Sequence, residues 1–138
     1  MMYTSDIDRA ISGYIADNHL TGRNELYAVV RYDVEVHHHC YSSRDHKWDN
    51  IDEGDLLNAM EADGSPIAIV STFREADALL SGKTCEFYMG GDILYKRGYA
   101  AFGYVVSIDE DGELVYDCNV SAWEAPQLPP FWEHRDED

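Results

Sequence analysis

Between residues 25 and 39 the chain alternates with a period of two. Ala28, Val30, Tyr32, Val34 and Val36 are apolar or aromatic, and Val29, Arg31, Asp33, Glu35 and His37 lie between them. Successive side chains of a strand point to opposite faces, so this spacing gathers the apolar set on one side and leaves the charged set in water. A helix would scatter the same residues around its circumference. The stretch is therefore a half-buried strand, and the chain must supply a sheet around it and a layer to cover its apolar face.

The remaining elements follow from local signals. Residues 5–18 read as a helix that Ser5 or Asp6 caps, with Ile7, Ala10, Ile11, Tyr14 and Ile15 on one side and Asn18 or Gly22 as its stop. Residues 41–51 are polar and read as a loop, followed by a short helix over about 53–62 that stops near Gly64. Ile67-Ala68-Ile69-Val70 suits a buried strand. Thr72-Phe73-Arg74-Glu75 is a capping-box pattern that starts a helix with Phe73, Ala76, Leu79 and Leu80 inward and Gly82 just past its end. Residues 84–89 make another strand ended by Gly90-Gly91. Ala100–Ile108 and Glu113–Asn119 flank Asp109-Glu110-Asp111-Gly112, which is a hairpin signal. The expectation is an α+β domain over residues 1–121, a small antiparallel or mixed sheet with two or three helices packed on one face. Residues 122–138, with Trp123, Pro126, Pro129, Pro130, Phe131 and Trp132, form a proline-stiffened segment with an acidic end.

At 138 residues the chain is the size of one domain, and 45% hydrophobic residues are enough for a core. No apolar run approaches the roughly 18 residues that span a bilayer. The first residues lack the basic and apolar regions of a secretory signal. Cys40, Cys85 and Cys118 are odd in number and widely spaced, which suits reduced thiols, so a cytoplasmic location is expected. The 27 acidic residues against 10 basic ones, net −17, argue against direct binding to nucleic acid or to an anionic membrane.

Side chains able to do chemistry are sparse. His37-His38-His39-Cys40, with His46 nearby, is the one cluster of metal-competent groups. His37 and His39 share a strand face, but two ligands fall short of a zinc set, and the run reads more simply as the wet end of a strand. No metal or other cofactor is expected. Asp45, Asp49 and Asp52 do not form a cation motif, and Asp109-Glu110-Asp111-Gly112 lacks the later ligands of a calcium loop. No nucleophile elbow or phosphate loop is present, so no catalytic residue is assigned and the chain is read as non-enzymatic. Tyr95-Lys96-Arg97-Gly98-Tyr99 with Phe102 is the only basic doublet among aromatics, and the surrounding charge opposes its use on RNA.

The acid itself is segregated. Residues 45–63 hold seven carboxylates against Lys47, and residues 98–138 hold ten against Arg135, whereas 64–97 is balanced. Carboxylates four apart on a helix lie about 5–6 Å apart, and those two apart on a strand lie about 6.8 Å apart. Both spacings are of the order of those between neighbouring phosphates. The leading expectation is a small acidic inhibitor that occupies the basic site of a nucleic-acid-handling protein, such as a nuclease or CRISPR effector. In charge and size alone it is similar to the class of anti-CRISPR, anti-restriction and immunity proteins. Its contact residues would be Asp49, Asp52, Glu53, Asp55, Asp109, Glu110, Asp111 and Glu113, with Trp123 and Trp132 as aromatic anchors. The alternatives are an adaptor that binds a protein through the aromatic C-terminal segment, and a metal-dependent enzyme using His37 and His39.

Overall fold

The computed structural model describes residues 5–36, 40–42, 47–49, 53–91 and 93–129. In chain order the elements are α1 (Asp6–Asp17), β1 (Gly22–Glu35), β2 (Cys40–Ser42), β3 (Lys47–Asp49), α2 (Glu53–Asp63), β4 (Ser65–Val70), α3 (Phe73–Leu80), β5 (Glu86–Gly90), β6 (Ile93–Ile108) and β7 (Leu114–Glu124). The α+β class holds. Two long strands, β1 and β6, pair antiparallel from Gly22↔Ile108 to Glu35↔Tyr95 without a bulge. β4 adds antiparallel to the outer side of β1. The far edge of β6 is shared end to end, with β5 pairing with Ile93–Arg97 and β7 with Ala100–Ile108. β2 and β3 form a separate antiparallel pair inside the stretch expected to be a loop.

The helices do not share one face, in contrast to the sequence expectation. Leu26, Ala28, Val30, Tyr32 and Val34 point to one side of β1, and Tyr27 and Val29 to the other. On the first side, Gly64 at the end of α2 sits against Val30, and the Tyr104 hydroxyl donates to Glu61 of α2. α1 packs against β4 and α2. On the second side, Phe73 of α3 meets the Tyr27 ring edge-on at 6.3 Å and stacks on Trp123 at 4.6 Å. Burial follows from this arrangement. Leu26 to Val30 are all buried because both faces are covered there, and strict alternation returns only beyond Val30. Val29, expected in water, is therefore fully buried. Phe73, expected inward, remains about half exposed because its stacking partner is itself near the surface.

The helix starts are made as the residue types dictate. The Ser5 hydroxyl accepts from the Asp8 amide at 3.1 Å while Asp8 accepts from the Ser5 amide, a complete capping box. The Thr72 hydroxyl accepts from the Glu75 amide at 3.1 Å and donates to the Glu75 carboxylate at 3.0 Å. At the end of α1 the His19 amide donates to Ala16 and the Leu20 amide to Ile15, a Schellman motif that folds Leu20 back toward Ile15. His19 occupies its left-handed position, with φ 53°.

The beginning of the C-terminal segment belongs to the sheet, and its residues 130–138 lie outside the described residues. β7 runs to Glu124, so a boundary between residues 121 and 122 falls within a strand. Ala125 then donates to the Tyr99 carbonyl at 3.0 Å. Cys85 donates to Pro126 at 2.9 Å and accepts from Leu128 at 2.8 Å. The crossing occurs over Gly98, where a Cβ would lie 2.7 Å or less from the Cys85 Cα and Sγ. Only glycine allows the two backbones to approach so closely.

Candidate functional site

Three regions hold groups that could act on a ligand. The first is a buried polar cluster where β1, β6 and β7 meet. The Glu124 Oε1 accepts from the Tyr32 hydroxyl at 2.6 Å and from the Lys96 ammonium at 2.8 Å. The Cys85 thiol lies 3.4 Å from the Ala125 carbonyl and 3.5 Å from that of Tyr99. Tyr32 and Lys96 are 2% and 7% exposed, and the Lys96 ammonium lies 5.3 Å from the Phe87 ring centroid. Burial, helped by the Cys85 thiol and the Glu124 carboxylate, pushes the Tyr32 phenol far above its ordinary range. The groups satisfy one another, and the Tyr32 phenol and Lys96 ammonium are buried, so this cluster ties strands together. It also splits the basic doublet between the two faces of the sheet. Lys96 shares the inward parity of Leu94, Ala100 and Phe102, and only Arg97 faces out.

The second region is a hollow of about 300 Å³ on the α3 side of the sheet, lined by Arg31, Asp33, Thr84, Glu86, Arg97 and Tyr99. All but Arg31 of its charged groups are engaged internally. The Arg97 Nε donates to Glu86 at 2.6 Å, the Arg97 guanidinium covers the Tyr88 ring at 4.4 Å, and the Tyr88 hydroxyl lies 2.7 Å from both oxygens of Asp33. That hydrogen bond to Asp33 is the main cause of the raised Tyr88 phenol. With Arg97, Glu86 and Asp33 engaged, Arg31 is the one charged group of the lining that these contacts leave for a ligand.

The third region is the hairpin joining β6 and β7. Asp109, Glu110, Asp111 and Glu113 are all exposed. They are not equivalent. Asp109 Oδ1 accepts from the amides of Asp111 at 2.9 Å and Glu113 at 2.7 Å, and Gly112 takes the left-handed φ of 81° that the loop requires. Asp109 thus builds the loop, while Glu110, Asp111 and Glu113 project their charge without an ion pair among the described residues. Beside the loop, Ile15, Ala16, His19, Leu20, Ile108 and Leu114 line an open apolar groove of about 460 Å³.

The other expected contact residues are dispersed. Asp49 lies on β3, and Glu53 and Asp55 open α2. Asp52, Trp132, His37, His39 and His46 lie outside the described residues. Trp123 is half-buried between Tyr27 and Phe73, and its indole N–H has no acceptor among the described residues. Among those residues no three His, Cys, Asp or Glu side chains converge on a metal position, and no helix is long and apolar enough to cross a membrane. The buried cluster had one signal in the sequence, the parity that places Lys96 with apolar neighbours. The groove had none, because its two sides are almost ninety residues apart.

No protein-family model matches the chain, and neither a curated protein nor a solved structure shows significant similarity to it.

Proposed function

We propose that this is a non-enzymatic binding protein whose acidic hairpin end engages a basic site on a nucleic-acid-handling partner and blocks it. The observation that carries the reading is the division of labour among the carboxylates. Asp6, Glu86, Asp117 and Glu124 pair with Arg9, Arg97, Arg23 and Lys96, and Asp8 and Asp109 organise backbone turns. Glu110, Asp111 and Glu113 have no such task and stand together at a hairpin tip, where unneutralised charge steers a cationic partner most effectively.

The test is capture from a bacterial lysate at low and high salt, with nucleic acid as competitor, comparing the natural chain with Glu110→Lys plus Asp111→Lys. A basic nuclease or similar effector should be retained at low salt, displaced by nucleic acid, and lost with the double variant. Equal retention by the double variant would remove the hairpin from the site. The choice of residues matters, since reversing Asp109 would disturb the loop as well as its charge. Truncation after Trp123 is equally unsuited to testing an adaptor role for the C-terminal segment, because it deletes Glu124 and leaves Lys96 buried without its counter-charge.

A further inference from the structure

We infer that the groove between α1 and the hairpin is the anchor point for that partner, and that it takes a basic amphipathic segment of a protein, with apolar side chains in the groove and Lys or Arg on the hairpin acids. This rests on the proposed binding role and adds the chemistry of the contact. The Schellman turn that ends α1 brings Ile15 and Leu20 together, and the base of the hairpin supplies Ile108 and Leu114 from the other side. Their aliphatic side chains give the groove an apolar lining, and its 460 Å³ is within the range of specific binding sites. The border is acidic on the hairpin side, where Glu110, Asp111 and Glu113 surround Gly112 of the lining. No Lys or Arg is among the lining residues. An apolar hollow with carboxylates along its hairpin side selects an apolar side chain flanked by cations over an acidic segment of the same shape. The exposed His19, also in the lining, holds a left-handed backbone at the same place, a conformation that residues other than glycine adopt at a cost.

The experiment uses the full chain and a fluorescein-labelled amphipathic peptide of Leu and Lys, with a Leu and Ser peptide and a Leu and Glu peptide as controls, read by fluorescence anisotropy. Ala16→Arg is the groove variant. Position 16 is exposed on a helix, where Arg is well tolerated, and the new side chain both fills the groove and places a positive charge in its lining. The Leu and Lys peptide should bind, weaken with salt, and lose about tenfold or more in affinity with Ala16→Arg. Undiminished binding to Ala16→Arg, with loss on Glu110→Lys plus Asp111→Lys, overturns the groove while leaving the acidic hairpin as the site. Absence of binding, or binding unaffected by either variant, overturns both. Equal affinity for the Leu and Ser peptide overturns the cationic preference and assigns the groove to neutral apolar ligands.

Discussion

Glu124 shows how much one side chain can decide. It sits at the end of β7, half-buried, and a single carboxylate oxygen receives both the Tyr32 hydroxyl and the Lys96 ammonium. A lysine 7% exposed keeps its charge only if a partner compensates for the hydration it has lost. Glu124→Gln should therefore destabilise the fold by on the order of 3 kcal/mol, seen as a lower urea midpoint, since it leaves the ammonium buried without an opposite charge. Glu124→Gln combined with Lys96→Met should recover a good part of that loss, because the uncompensated charge is then absent. A double variant no more stable than Glu124→Gln would show that the ion pair is not what holds β7 to β1 and β6. The parity of Lys96 was readable from the sequence, but its partner was not, since Glu124 lies in a stretch whose prolines and tryptophans mask a strand pattern.

The β6–β7 hairpin is where sequence and structure agree most closely. Asp109 through Gly112 was expected as the turn, and the Asp109 amide does donate to the Glu113 carbonyl at 3.0 Å. What the motif alone did not reveal is that its first acid turns back onto the loop's own amides. Asp109→Ala should cost about 1 kcal/mol and speed hydrogen exchange at the Asp111 and Glu113 amides, whereas Glu110→Ala should change neither. Exchange rates at those two amides that match the natural chain would show that the loop holds without the Asp109 carboxylate. Other elements extended beyond their local signals for tertiary reasons. β6 begins at Ile93 rather than Ala100 because β1 offers it a partner from Tyr95 onward and β5 pairs with Ile93–Arg97, and pairing overrides the glycine at position 98. β7 continues to Glu124 because Ala100 and Ala101 on β6 pair with Glu124 and Trp123.

Across the whole molecule the tyrosines report the quality of the packing. Burial and the neighbouring Glu25 push the Tyr27 phenol up to about 12, and burial is also the first cause of the raised Tyr32 and Tyr104 phenols. An unfolded tyrosine loses its proton near pH 10, while these folded ones retain it. Above that pH the unfolded chain therefore binds fewer protons, so stability is undiminished below about pH 10 and falls as pH rises toward the folded values. Each such tyrosine contributes a slope of up to about 1.4 kcal/mol per pH unit. Urea midpoints should be flat up to about pH 10 and then drop, and part of the phenolate absorbance should emerge only with unfolding. A chain whose ten tyrosines all titrate near pH 10 without loss of stability would contradict the buried placement. The sequence by itself determined the α+β class, the alternating strand at the centre, the helix caps, the closing hairpin and the excess of acid. All of these depend on residues within a few positions of one another, where spacing and residue type set the outcome. Only the tertiary structure decided which sheet face each helix covers, that Val29 and Lys96 are buried, that residues 122–128 complete the sheet, and that α1 and the hairpin enclose a groove. These depend on pairings between residues far apart in the chain, and the free energy that selects them comes from apolar area and charge compensation that exist only once the surfaces meet.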